Sequence, residues 1–450
     1  MKKRTFYTYS FGCRVNQAEK EVIDAEMQDK GYVLCVNRPD IAIINTCAVT
    51  HKAELEAKQL IYKLKRDKPD GQIVVTGCSA TYWKKNSLLE GLPVDLVIDN
   101  INKEFLVKLL QNRLSCQALS EPPRLVPDFA KATTGKQGGD KYLNSGRALI
   151  KIQDGCQRFC SYCIVPYLRG TPKSEKIKSI LLIISSYAKA SEDKHNLGLG
   201  IKEVIFTAIN TEAFGLDTGE KLITLIDQTI EVTKIPRISF GSIHPWSINE
   251  EFLNYYKKIL PLKRLVNFFH IPIQSGSNKI LSLMKRGYAQ EEVMKKLQSI
   301  KRLNKFTLIA TDVIVGFLDE TDRDFQETYD FLEKSPISKF HIFRFSSRDN
   351  TAAYYMKKNL KEPSSAIKLK RAKKLSDLGK KKYEDFLKLN VGRTSSVLFL
   401  NTVVDGYREG LLDNQLPIYV KTIKNLNGQI KNVEIIEYKK GKLFGRIVTE

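Results

Sequence analysis

Three cysteines, Cys156, Cys160 and Cys163, fall within the nine residues GCQRFCSYC (Gly155–Cys163), and no fourth ligand stands within that stretch. A structural zinc or an ordinary iron-sulfur site closes with four protein ligands. Three thiolates at i, i+4 and i+7 can instead wrap one corner of a 4Fe-4S cube and hold three irons, leaving the fourth without a protein ligand. An open coordination position on a metal is a place for chemistry. A second trio is spread along the chain: Cys13, Cys47 and Cys78 each stand just past an apolar, strand-like run. Of the eight cysteines, Cys35 and Cys116 have no such placement.

The elements that would have to bring these residues together can be read from the periodicity. Up to about residue 114, strand patterns (TFYTYSF, DIAIINT, QIVVTG, VDLVID) alternate with helical ones (EKEVIDAEMQDKG, KAELEAKQLIYKLKRD), which predicts an α/β domain of the doubly wound kind. In an open parallel sheet the carboxyl ends of the strands share one edge, so Cys13, Cys47 and Cys78 are expected to meet there. The alternative for each is a small buried apolar residue.

Residues 115–146, rich in Pro, Gly and Lys, read as a linker. Alternation then restarts over 147–360 with six strand candidates (RALIKI, KEVIFTA, RISFGSI, LVNFFHIPI, TLIATDVIVG, SKFHIFRF) separated by helices. Six such units predict a partial (β/α)6 barrel with its chemistry at the strand carboxyl ends, and the cysteine loop follows the first strand. Asn210, Ser242, Gln274 and Ser275 fall in the corresponding place after later strands. A Lys-rich helix is expected over 361–390, with Ile367, Leu375, Leu378 and Phe386 on one side and a basic outer face. Short alternating strands over 391–450 predict a small β-barrel.

The 450 residues carry 73 Lys and Arg against 50 Asp and Glu, a formal charge of +23 that points to a polyanionic partner, nucleic acid first. The richest apolar run, SILLIISSYA, is shorter than the roughly 18 residues a membrane span needs. The start MKKRTFYTYS has a basic head without an apolar core, so the expected location is the cytoplasm, with no membrane contact. In a reducing compartment the thiols are better read as metal ligands than as disulfides.

DGCQRFCSYC, with Tyr162 before its last cysteine, resembles the radical S-adenosylmethionine superfamily, in which the open iron binds S-adenosylmethionine and its reductive cleavage yields a 5′-deoxyadenosyl radical. FGCRVNQAE, INTCAVT, VVTGC, CIVPYLRG, HIPIQSGS, DVIVGF and HIFRFSSR extend the likeness over nearly the whole chain to the methylthiotransferase family. That resemblance implies two 4Fe-4S clusters, one on Cys156, Cys160 and Cys163 and a sulfur-delivering one on Cys13, Cys47 and Cys78. It makes Tyr162, Asn210, Ser242, Gln274 and Ser275 candidate S-adenosylmethionine contacts and the tail a TRAM-like RNA module. It assigns no catalytic side chain. The partners it implies are tRNA and an electron donor such as flavodoxin or ferredoxin, acting on a monomer.

GCRVNQ and NTCAVT most resemble the branch that methylthiolates C2 of N6-threonylcarbamoyladenosine beside the anticodon. The alternatives are another tRNA adenosine, a ribosomal protein, or a non-enzymatic metal-stabilised RNA-binding protein. The chain departs from the family at Ala208, where Gly is common, and at Leu318-Asp319, where Pro-Gly is common. These departures are expected to alter local packing and to leave the chemistry intact. SEDKHNLGLG is expected to be an insertion.

Overall fold

The computed structural model describes residues 3–113, 145–189 and 200–448. Almost all of the expected linker, Cys116 and nearly all of SEDKHNLGLG lie outside the described residues. The first domain runs β1 (Thr5–Ser10), α1 (Arg14–Asp29), β2 (Val33–Leu34), β3 (Ile41–Thr46), α2 (His51–Asp67), β4 (Gln72–Thr76), α3 (Gly77–Lys85), β5 (Leu96–Val97) and α4 (Leu106–Arg113). Its sheet is all parallel in the order β2-β1-β3-β4-β5, so β1, β3 and β4, the strands that precede the three cysteines, are neighbours. The central β3 is buried at every position, as a strand covered by helices on both faces must be. VDLVID contributes only the two residues of β5, because it is an edge with a partner on one side.

Helix α1 starts at Arg14, immediately after Cys13, five residues before the pattern EKEVIDAEMQDKG would begin it. Its first turns are buried on polar as well as apolar positions, Asn16 and Glu19 among them, which hides the usual period. The reason is a second contact: Ala18 packs with Leu149 and Ile205 of the following domain.

That domain comprises β6 (Arg147–Asp154), α5 (Val165–Arg169), β7 (Lys173–Ser174), α6 (Ile177–Lys189), β8 (Glu203–Ala208), α7 (Leu222–Val232), β9 (Arg237–Phe240), α8 (Glu250–Ile259), β10 (Phe268–His270), α9 (Asn278–Leu283), α10 (Gln290–Leu303), β11 (Leu308–Val315), α11 (Asp322–Lys334), β12 (Lys339–Arg344) and α12 (Ala352–Met356). Strands β6, β8 and β9 form one parallel set and β10, β11 and β12 another, and a parallel bridge between Ile238 and Leu265 joins them. The six strands therefore curve in chain order into the expected partial barrel. Its outer face carries the main core, with Ile150, Phe206, Phe240, Phe269 and Val313 against the helices.

Helix α13 (Ser365–Leu389) packs along β12 and is no free-standing linker. Leu375, Leu378 and Phe386 are buried as expected, but Ile367 is 41% exposed, a correction to the sequence reading. One residue on, about 100° round the helix, Lys368 takes the inward place, and Arg371 follows it one turn later. Both are buried because Lys368 pairs with Glu362 and Arg371 with Glu320. At the Leu318-Asp319 departure Leu318 is fully buried, while Asp319 adopts a left-handed backbone (φ +57°) that Asp tolerates better than most residues.

The tail is a closed barrel of β13 (Thr394–Val404), β14 (Tyr407–Leu411), β15 (Pro417–Lys421), β16 (Ile430–Lys439) and β17 (Lys442–Ile447), ordered β13-β14-β15-β17-β16. It docks under the amino ends of the larger barrel's strands. Arg237 donates to the carbonyls of Leu411 (2.9 Å) and Ser396 (2.6 Å), the Asn267 amide donates to Asp413 O (2.8 Å), and Leu308 enters the small barrel's core. No helix of the described residues is long and apolar enough to cross a membrane.

Candidate metal centres

Cys13 precedes α1, Cys47 follows β3, and Cys78 lies in the first turn of α3 directly after β4. Parallel pairing of β1, β3 and β4, with a bridge from Thr46 to Gly77, brings all three to one sheet edge. The edge is tightly tied. Asn16 donates to the carbonyls of Phe11 (2.8 Å) and Thr46 (2.9 Å), the Thr46 hydroxyl donates to Thr76 O (2.6 Å), and Ser79 donates to Cys47 O (2.6 Å). Gly12 has φ +87°, and a Cβ there would stand 2.4 Å from the Cys47 sulfur, so the close approach of the Gly12 backbone to Cys47 requires glycine.

The second trio sits in the loop after β6. The Cys156 amide donates to Gly170 O (3.1 Å) and that of Cys163 to Cys160 O (2.9 Å). Ser161 anchors the loop to the end of α9, its amide donating to Met284 O (3.0 Å) and its hydroxyl to Leu283 O (2.7 Å).

Each trio has an arginine on a sulfur. Arg286 donates from Nη1 to Cys160 Sγ (3.4 Å) and to the Tyr162 hydroxyl (3.3 Å), while Trp246 is stacked by the guanidinium groups of Arg286 (4.4 Å) and Arg158 (4.3 Å). Arg169, six residues beyond Cys163, donates from Nε to Cys78 Sγ (3.3 Å). Its side chain is 1% exposed and is held by Asp154 (2.8 Å), Glu19 (3.0 Å) and Asn16 (2.7 Å). One residue therefore ties the barrel's cysteine loop to the other domain's trio. Neither Arg169 nor Arg286 was singled out from the sequence.

The donor set suits an anionic cluster. All six cysteines are free. Burial, with Cys13 and Cys78 nearby, pushes the Cys47 thiol up to about 12, and burial, with Cys160, does the same to Cys163. Thiolates there need positive charge. Around Glu19 and Asp154 stand three cations, Arg169, Lys103 and Lys151, one more than the two carboxylates. Burial alone would raise Glu19, but Arg169, Lys103 and Lys151 together hold it well below the usual carboxylate range. Cys13 keeps accessible surface, and the protein packed around it raises its thiol by desolvation while the Arg169 charge lowers it.

The polar residues expected at strand ends have separate surroundings. Tyr162 lies within the cysteine loop, its hydroxyl against Arg286. Asn210 receives the Glu212 amide on its side chain (3.3 Å), and its own amide donates to Gln153 Oε1 (2.9 Å). Gln274 is half-buried on a left-handed backbone (φ +74°) at the end of the β10 segment. Ser275 is turned toward α11, its hydroxyl bonded to Thr328 (3.1 Å) and accepting from the Ser277 amide (3.2 Å). Ser242 joins a group that sequence reasoning left unconnected: its hydroxyl meets His270 Nδ1 (2.7 Å), His270 Nε2 meets Asp312 (2.9 Å), and His341 Nδ1 meets the same Asp312 oxygen (3.2 Å). Asp312 accepts only, so His270 donates from Nε2 and His341 from Nδ1. Burial would raise Asp312, but these two bonds hold it well below its ordinary value.

Two family models match, an uncharacterised protein family, UPF0004, over residues 5–99 and the radical SAM superfamily over residues 150–332. The threonylcarbamoyladenosine tRNA methylthiotransferase MtaB of Aquifex aeolicus is 34% identical over 87% of this chain and 92% of its own. The chain belongs to the radical S-adenosylmethionine tRNA methylthiotransferase family. A second member, the tRNA-2-methylthio-N(6)-dimethylallyladenosine synthase of Petrotoga mobilis, is 30% identical over 98% of this chain and 99% of its own. Among solved structures, the cobalamin-dependent S-adenosylmethionine radical enzyme OxsB with aqua-cobalamin bound shares the fold, with a TM-score of 0.52 and 14% identity over 82% of this chain and 56% of that one. Membership in this methylthiotransferase family implies an iron-sulfur cluster, S-adenosylmethionine and a tRNA substrate.

Proposed function

We propose that this chain methylthiolates C2 of N6-threonylcarbamoyladenosine in tRNA, using a radical cluster on Cys156, Cys160 and Cys163 and an auxiliary cluster on Cys13, Cys47 and Cys78. The observation that carries the proposal is the bond from Arg169, at the end of the helix α5 that follows the barrel's cysteine loop, to Cys78 of the other trio. It supports two centres joined by one connected set of side-chain contacts. When bound, these groups would supply a 5′-deoxyadenosyl radical from S-adenosylmethionine and a methylthio sulfur. A radical is needed because no side-chain base can take a proton from the unactivated C2–H of adenine.

The chain's own part is to position and enclose. Arg286 and Arg169 each place a buried positive charge on a ligand sulfur, which favours the thiolate at that atom. The packing of α1 on β6 and β8 encloses part of the barrel's inner face and excludes water from it. Tyr162 is the expected S-adenosylmethionine contact nearest the cluster loop, with Asn210, Ser242, Gln274 and Ser275 on the strand ends beyond. The expected electron donor is a flavodoxin or ferredoxin, and the expected state is a monomer.

Preference for the threonylcarbamoyl nucleoside rests on the MtaB relatives and on GCRVNQ and NTCAVT. Nucleoside mass spectrometry of tRNA from cells with and without the gene tests it. The methylthio derivative of threonylcarbamoyladenosine should vanish without the protein, and its persistence would defeat the reading.

A further inference from the structure

Strands β10, β11 and β12 turn alternate residues to opposite faces. Phe269, Ile309, Val313, Phe340 and Ile342 belong to the outer core, so His270, Asp312 and His341 face the other way, toward the inside of the barrel. Parallel register sets Asp312 beside His341, and His270 beside Ala310, two residues before Asp312 on the same face. Three neighbouring strands thus supply one side chain each. One ligand atom from each lies within 4.8 Å of those of the other two. Both imidazoles meet the same carboxylate oxygen, Oδ1, His270 through Nε2 at 2.9 Å and His341 through Nδ1 at 3.2 Å.

Asp312 is a carboxylate at neutral pH, and it has no Lys or Arg partner among the described residues. Arg14 reaches toward Gly241 but donates to the Phe240 carbonyl (3.4 Å), and Lys339 lies over the Tyr383 ring (5.6 Å). The negative charge therefore stays on a wall that is partly open, with 24% of the Asp312 side chain and 43% of that of His341 exposed. Two imidazoles and a carboxylate are a donor set for a divalent first-row transition metal. Ligands roughly 2.0–2.1 Å from such an ion stand roughly 2.9–3.4 Å from one another. An ion can thus replace the two shared protons without moving the strands.

Ser242 is placed to support that exchange, its hydroxyl lying 2.7 Å from His270 Nδ1. When an ion takes Nε2, the ring proton moves to Nδ1 and is donated to the Ser242 oxygen, the kind of bond that fixes the orientation of a metal-bound histidine. His341 makes the matching shift, from Nδ1 to Nε2, so both rings stay neutral. We infer that His270, Asp312 and His341 bind one divalent transition-metal ion, at a site that uses none of the six cysteines. The inference goes beyond the function proposed above and does not depend on it. Three protein ligands leave at least one position on the ion for water or for an oxygen of an incoming ligand.

The test is zinc binding to the anaerobically reconstituted full chain, measured by equilibrium dialysis and by X-ray absorption at the zinc edge. One zinc per chain should bind through nitrogen and oxygen alone, at roughly 2.0–2.1 Å. Asp312→Asn and His341→Gln should each abolish its retention, and Ser242→Ala should weaken binding about tenfold. The spectrum of the unaltered protein requires no variant to fold, and His341→Gln changes a side chain that already meets solvent. Zinc held through sulfur, at roughly 2.3 Å, would assign the ion to the thiols and overturn the site. Full retention in Asp312→Asn and His341→Gln would overturn it too, as would an intact protein that bound no zinc.

Discussion

The Nε of Arg169 lies 3.3 Å from the Sγ of Cys78, and the two residues belong to different domains. Arg169→Gln should remove one of the three cations around Glu19 and Asp154 and leave Lys103 and Lys151 to hold them, at a cost of about 1.5–3 kcal/mol in denaturant unfolding for the charged hydrogen bonds lost. Arg169→Lys keeps a charge but loses the planar fork that reaches Cys78, Glu19, Asp154 and Asn16 together. In protein lacking the barrel cysteines, the electron paramagnetic resonance signal of the remaining cluster should shift in Arg169→Lys. An unshifted signal would mean the arginine only braces the fold.

Gly12→Ala offers a test of the amino-terminal trio that touches no ligand. The new methyl would stand 2.4 Å from Cys47 Sγ on a backbone with φ +87°. Anaerobic reconstitution and iron counting should show the loss of one cluster, while 5′-deoxyadenosine formation persists.

The cysteine sets separate two roles. Alanine at Cys156, Cys160 or Cys163 should abolish S-adenosylmethionine cleavage, with the auxiliary cluster retained. Alanine at Cys13, Cys47 or Cys78 should preserve cleavage and stop methylthio transfer to tRNA. Cys35, whose thiol only meets Asn37 O (3.1 Å), is the control.

His244 gives a pH prediction. Burial, then the charge of Arg286, depress it to about 3, against an ordinary 6.5. The unfolded chain therefore binds more protons between those values, and the stability this histidine supplies is present above 6.5 and lost as pH falls. At pH 5.5 the loss is about 1.4 kcal/mol. His244→Gln should remove that part of the slope in melts compared at pH 7.5 and 5.5, whereas an unchanged slope would show that the histidine is hydrated in solution.

The tail's role in RNA binding is better tested at its surface than by deletion, because removing it would strand the buried Arg237. Tyr407 and Tyr419 flank Phe444, with Lys442 over the Tyr419 ring at 4.8 Å and Lys421 and Arg446 nearby. Changing Lys421, Lys442 and Arg446 together to Gln should weaken tRNA binding and flatten its salt dependence by about one unit of slope for each phosphate no longer neutralised. An unchanged slope would free the tail from any part in RNA binding.

The cysteine trios were legible because strand periodicity alone places three residues at one edge and a fourth, fifth and sixth after the first barrel strand. Arg169 was not legible: in YLRG it looks like any surface arginine, and its partners Cys78, Glu19 and Asn16 lie 91, 150 and 153 residues away. A usable sign of the His270–Asp312–His341 group was Asp312 itself, a charge inside the apolar strand LIATDVIV, on the face it shares with Ala310 and Ile314. The basic helix misled at Ile367 because Lys368 and Arg371 found carboxylates inward, and periodicity cannot foresee a buried ion pair. The α1 boundary was missed for a related reason, since its charged first turns are covered by another domain.

The small barrel sits under the amino ends of the strands, whereas the cysteine loop leaves the carboxyl end of β6, a strand of eight residues. The two are thus held about 25 Å apart by a rigid sheet. An RNA touching both must bridge that length, so the molecule would work as a gauge. It would accept an arm whose reactive base stands at the right reach from its gripped stem, whatever the sequence between.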